Sequence, residues 1–302
     1  MRKVHLIFTF LLTCVLVFQT CSTCNRQRTV DVDIDLVDFA IDTTYLHMAR
    51  NVLHALPTPL EVSMLIRNAG INWNPVLLNN PDNASRYLTT QKMALNFGAY
   101  ITSLTYSGLF EQTLTVLRYK NAILYLAEGL GLQSSVNLNT LRQLEENINN
   151  RDMLLRIIAD IYASCMASLE ESDRYYLTLT ILTGGWVEGM YIATSSINEN
   201  LFFNEQRLRQ LVIDLILTFE MIWNVMSDFQ DTPGIHEIMS DMSELAKLFD
   251  RIDVHKTPNV VTVSAETNVS EIASSNIIDI TPEDFESIRN QIQIIRDNFT
   301  QI

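Results

Sequence analysis

The sequence predicts an all-α fold, on three observations. Beyond residue 38 most of the chain repeats its apolar residues at steps of three and four, the period of a helix with one face in a core. Several of these stretches carry helix start and stop residues where a helix needs them. The alternation of a strand is confined to "TVDVDIDLVD" (29–38), and only residues 253–280 lack the helical period over any length. The expected architecture is a multi-helix bundle or a set of stacked helical hairpins. It divides into a signal peptide (1–20), a tether (21–38), a helical domain (39–252), an extended excursion (253–280) and a final helix (281–302).

Residues 39–55 have the helical period. "TPLEVSMLIRNAG" (58–70) shows its punctuation: Thr58 as N-cap, Pro59 in the first turn, Glu61 closing a capping box and Gly70 just past the end. A polar loop follows, then predicted helices near 86–106 and 110–129, the second stopped by Gly129 and Gly131. Further helices are expected at 138–149, 152–170, 173–194, 205–229 and 235–251. In "NVVTVSAETNVSEIASSN" β-branched residues lie among Ser, Thr and Asn, which predicts an extended segment. Thr281, Pro282 and Asp284 open the last helix, with Ile288, Ile292 and Ile295 as its apolar face.

At the other end, Arg2 and Lys3 precede an uncharged, mainly apolar run from Val4 to Phe18. This is the anatomy of a secretory signal, and it is shorter than the roughly 20 residues of a spanning helix. Cys21 and Cys24 follow. A redox pair would sit at a helix start after a strand, and a zinc clip would need a second pair of ligands. Cys165 is the one other cysteine beyond the signal. The reading that fits is a lipoprotein signal, with lipid on Cys21 as the first residue of the mature chain. Cys24 is the second candidate, and plain secretory cleavage near Ser22 is the alternative.

Loss of Arg2 and Lys3 with the signal takes the net charge from −14 to −16. So acidic a chain is a poor partner for nucleic acid or for an anionic lipid surface. A covalent lipid is then the means of staying on a membrane. Asp31, Asp33 and Asp35 have the spacing of a calcium loop, but Val32 and Ile34 stand between them and no turn glycine is present. The segment reads as a tether or short strand. His47 and His54 have no ligand at metal spacing, and His236-Glu237 lacks the second histidine of a zinc-protease motif. Nucleophile elbow, phosphate loop and dinucleotide fingerprint are all missing. No cofactor or metal is expected.

Two segments echo each other. "SRYLTTQKMALNFGAYITSLTYS" (85–107) and "DRYYLTLTILTGGWVEGMYIA" (173–193) both open on Arg-Tyr, and "GAYITS" stands against "GGWVEG". The next helices open "FEQTL" and "NEQRL", at an offset of 86 to 94 residues. The echo predicts two related helical hairpins. Within the second, Gly184, Gly185 and Gly189 each cost about 1 kcal/mol in a helix relative to Ala. Such a cost is met where another helix comes close or a ligand needs room. Gly185, Glu188 and Gly189 share a face, so Glu188 should point into crowded surroundings and require a partner. Lys92, Arg174 and Tyr100 are the candidates by composition. Glu188 is then either a buried link between helices or the polar anchor of a small-molecule pocket lined by Trp186 and Tyr191.

Four stretches, "LPTPLEVSMLIRNAG", "NPVLLNN", "YLTTQKMALNFGAY" and "GGWVEGMYIA", resemble a family of uncharacterised helical lipoproteins predicted in the Bacteroidetes, over about residues 45–230. The resemblance implies an envelope lipoprotein attached to the outer membrane, and it carries over no catalytic residue. In that phylum, surface-destined lipoproteins often have acidic residues directly after the modified cysteine. Here Ser-Thr-Cys-Asn-Arg-Gln-Arg follows, which implies the periplasmic face. The expected function is a non-enzymatic helical scaffold that binds an envelope protein or peptide. A small-molecule binder with a pocket near Glu188 is the alternative. A hydrolase would need paired carboxylates across a cleft.

Overall fold

Thr58 caps the first described helix as its sequence predicts. In α1 (Pro59–Asn68) the Thr58 hydroxyl accepts from the Glu61 amide, and the Thr58 amide donates 2.7 Å to the Glu61 carboxylate. Pro59 stands in the first turn, and Gly70 leaves the helix at φ 87°. The structure is a computed structural model that describes residues 58–302, apart from 233, 253, 257–259, 264–269, 274–275 and 279. The signal peptide, Cys21, Cys24, the tether, the 39–55 helix, His47 and His54 therefore lie outside the described residues.

The chain continues through two 3-10 turns, Pro75–Leu77 and Pro81–Arg86, into α2 (Thr90–Leu109) and α3 (Thr113–Gly129). Then come α4 (Leu138–Glu146), α5 (Arg151–Glu171), α6 (Tyr175–Ser196), a six-residue α7 (Glu199–Asn204), α8 (Gln206–Asp228) and α9 (Ile235–Arg251). The last helix is α10 (Pro282–Thr300), opened by a Thr281–Asp284 capping box. The fold is an all-α packed bundle. Within the excursion, four short strands, β1 (Val254–Lys256), β2 (Val260–Val263), β3 (Ser270–Ala273) and β4 (Asn276–Ile278), pair antiparallel as β1 with β4 and β2 with β3.

Helix starts moved where local chemistry competes with apolar periodicity. The helix expected from 86 begins at Thr90, because Pro81 sets a 3-10 turn through Arg86 and Thr89 then caps α2. The next starts at Thr113 rather than 110, after a turn with Glu111 at φ 58°. The sequence reading missed α7; Asn198 caps it, and it is too short for periodicity to show.

Two cores flank a central pair of helices. One is built mainly from α2, α3, α4 and α5, and the other from α6, α8, α9, α10 and α1. Helices α2 and α6 form the most extensive contact in the bundle, and α1 and α5 each pack on both of them. From Ala94 to Leu109 every residue of α2 is buried, and so is nearly all of α6 from Leu177 to Thr194. Leu95 and Tyr106 of α2 reach into the second core, while Leu177 and Ile181 of α6 reach into the first. Helices enclosed on every side have to satisfy most of their own polar groups, and only Thr178 Oγ1 of this buried stretch of α6 is left without a partner. Thr105, Ser107, Thr180, Thr183 and Thr194 satisfy theirs by donating to the carbonyl four residues back.

The pair can approach so closely because of its glycines. A Cβ on Gly98 would lie 1.9 Å from the Ile181 carbonyl oxygen, and one on Gly184 would lie 2.0 Å from that of Leu95. Gly98 and Gly184 are 86 apart, as are Leu95 and Ile181. The two contacts are therefore reciprocal at the offset of the sequence echo. The echoed helices are partners across one seam, related by an approximate two-fold exchange. Gly185 has gentler neighbours, with Thr102 Oγ1 at 3.1 Å from its Cβ position, and Gly189 faces Val62 of α1 at 2.5 Å.

Candidate functional site

Glu188 sits one turn beyond Gly184 and Gly185 and is wholly buried. The close seam brings Ser103 of α2 within reach, and its hydroxyl donates to Glu188 Oε1 at 3.0 Å. The main partner comes from α10. Arg296 Nε donates to Oε2 at 3.0 Å, and Nη2 donates to Oε1 at 3.4 Å and to the Leu77 carbonyl at 2.9 Å. The guanidinium lies over the Tyr191 ring, 4.3 Å from its centroid. Burial opposes the Arg296 charge, but the Glu188 carboxylate outweighs it, and the arginine pKa is raised.

None of the partners expected for Glu188 holds it. Lys92 donates instead to the Asn298 carbonyl, Arg174 to the Leu130 carbonyl at 2.7 Å and Tyr100 to the Asn80 carbonyl at 2.9 Å. Arg296 was missed because it lies 108 residues away, a distance that helical periodicity does not span. A signal was present. Arg289 and Arg296 stand one heptad apart beside the apolar stripe of α10, and both reach α6. Arg289 donates to the Thr194 carbonyl at 3.1 Å and to the Ile197 carbonyl, and so closes the end of α6.

A polar network continues from this pair along α2. Asn79 donates to Tyr87 Oη at 2.9 Å and to Asn96 Oδ1 at 3.0 Å, and accepts at its carbonyl from Tyr119 at 2.5 Å. Asn96 in turn donates to the Phe299 carbonyl at 2.9 Å, and Tyr87 to the Thr300 carbonyl at 3.3 Å. With Lys92 on Asn298, three successive carbonyls at the end of α10 each receive a donor from the body. The last carbonyls of a helix lack partners within it and carry partial negative charge, so this is where donors and a cation belong. Burial pushes the Tyr100 and Tyr119 hydroxyls far above their usual pKa, so they remain neutral donors.

The three residues expected to line one pocket do not share one, because Trp186 faces away from the other two. Trp186 donates from its indole to the Leu215 carbonyl at 3.1 Å and to Thr218 Oγ1 at 2.9 Å, and packs on Phe219. Glu188 and Tyr191 meet on Arg296. Trp186 lines a hollow of about 20 Å³ with Pro59, Val62, Tyr162 and Ile222, room for about one water molecule. The Tyr162 hydroxyl there is buried without a hydrogen-bond partner. Tyr191 borders a separate groove of about 460 Å³ between the end of α6 and α10, and Glu188 lines neither space. A third groove, of about 450 Å³, lies between α1 and α8. Among the described residues no three His, Cys, Asp or Glu side chains gather as a metal site would require.

The chain matches no protein-family model, no curated protein and no solved structure.

Proposed function

We propose that the chain is a lipid-anchored envelope protein acting as a non-enzymatic helical scaffold, and that it binds an envelope protein or peptide. The anchor half of this reading rests on the N-terminal sequence: a signal-like apolar run followed by Cys21. The outer-membrane location and periplasmic face rest on the family resemblance and on the residues after Cys21. The scaffold half rests chiefly on one observation. Among the described residues, the hollow beside Trp186 has room for about one water, whereas the spaces beside Tyr191 and between α1 and α8 are larger but open grooves. Drug-sized ligands occupy roughly 300 to 1,000 Å³ and are largely enclosed, so open grooves suit a polypeptide better than a small molecule. Glu188 then serves as a positioning residue that holds α10 against α6.

Affinity capture of the lipidated protein from its own membranes tests both halves. Mass spectrometry of the captured chain should find a lipid-modified Cys21 at its start, with a specific envelope protein enriched alongside. An unmodified terminus at Thr23 would remove the anchor. No protein enriched over a lipoprotein control would remove the scaffold.

A further inference from the structure

Helix α10 is joined to the body by the longest connection among the described helices. Thirty residues separate Arg251, the end of α9, from Pro282, whereas connections from α2 through α9 run from one to eight residues. Helix–helix connections in bundles are usually about 2 to 8 residues, and this one is long enough to carry the strand pairs β1–β4 and β2–β3. The inner face of α10 carries Phe285, Ile288, Ile292, Ile295 and Phe299, all buried, at alternating steps of three and four. That is the spacing of a helix laid in a groove. Beside Ile295, Arg296 enters the slot between Glu188, Tyr191 and the Leu77 carbonyl. Lys92, Asn96 and Tyr87 meet the last carbonyls.

Every one of these polar contacts has its receptor on the body and its ligand on α10. With α10 withdrawn, Glu188 would keep the Ser103 hydroxyl alone, an unpaired carboxylate that favours any incoming guanidinium. The donor trio would likewise face the place of a helix C-terminus. These features specify an occupant by type: an apolar three-and-four seam, an arginine directly after a seam residue and a helix end about one turn later. We propose that α10 is a releasable strap over a helix-binding slot, and that a partner's amphipathic helix of this description takes the slot when α10 leaves it. The proposal deepens the scaffold reading above and rests on it.

Two measurements on the full chain test it. In hydrogen–deuterium exchange, α10 amides should exchange at least about tenfold faster than those of α2 and α6, through an opening that leaves the central pair protected. Exchange of α10 only together with α2 and α6 would overturn the strap. A labelled synthetic peptide of residues 280–302 should bind the full-length protein saturably, and at least about tenfold more weakly when it carries Arg296→Ala. No binding, or binding indifferent to the arginine, would overturn the slot. Should the peptide fail while envelope capture still succeeds, the slot is wrong and the scaffold uses another surface. Should the peptide bind while capture finds no partner, the scaffold reading is what fails.

Discussion

Helix α6 is held in two opposite ways within a few residues of its length. At Gly184 it touches α2 backbone to backbone, with no room for one added carbon. At Glu188 it is held by side chains, through a buried ion pair to a helix distant in sequence. The difference teaches where each contact is vulnerable. The glycine contact is intolerant of volume, because its obstacle is a main-chain carbonyl that cannot swing aside. The ion pair is intolerant of losing one member, because the other is left charged and shut away from water.

The largest expected effect breaks the second contact. Glu188→Ala strands Arg296 and should cost about 3 to 5 kcal/mol in urea unfolding. Replacing both Glu188 and Arg296 with Met should cost less than either single change, since no charge then remains buried. If the double variant is as unstable as the sum of the singles, the pair is not the coupled unit described. A somewhat smaller effect is expected at the seam. Gly184→Ala should destabilise by about 2 to 3 kcal/mol despite the better helix propensity of Ala, and Gly98→Ala should behave alike by reciprocity. Gly185→Ala meets the Thr102 hydroxyl at 3.1 Å and the Gly98 carbonyl oxygen at 3.3 Å, more than 1 Å further than the obstacle at Gly184, and should change the midpoint far less. Equal costs at Gly184 and Gly185 would dissolve the distinction between an approach that leaves no room for a methyl group and one that is merely tight.

The smallest effect is electrostatic and lies away from both contacts. Burial raises the pKa of Asp214, against the lowering effect of a hydrogen bond from Gln210. Its ionised form is thus disfavoured in the folded chain relative to the unfolded one. At neutral pH this subtracts from stability, and the penalty fades as pH falls through the raised pKa towards the ordinary carboxylate value. Asp214→Asn should therefore raise the thermal midpoint slightly at pH 7, with the gain shrinking in mildly acid buffer. A gain that instead grows towards acid pH would contradict that sign. Whichever way Asp214 falls, the comparison of seam and ion pair is unaffected, which makes it a useful control.

Sequence alone determined much of the architecture, because its signals are local. The Thr58 and Thr281 capping boxes, the turn at Gly70 and the apolar stripe of Ile288, Ile292 and Ile295 are each written within a turn or two of helix. Chain proximity enforces them whatever the rest of the molecule does. The echo of "GAYITS" and "GGWVEG" was also legible as similarity, and the three glycines of α6 announced a close approach. Only the tertiary structure decided what approached. Gly98 meeting Ile181 and Gly184 meeting Leu95 required two helices to cross at one register, and a carboxylate on α6 had no local reason to prefer Arg296 over Lys92 or Arg174. Burial energy and side-chain periodicity specify that a face is inside. They are silent on which distant face it meets, since many apolar stripes would bury the same area. That choice was made by shape at the glycines and by charge at Glu188, two short-range properties that act only after the chain has brought them together.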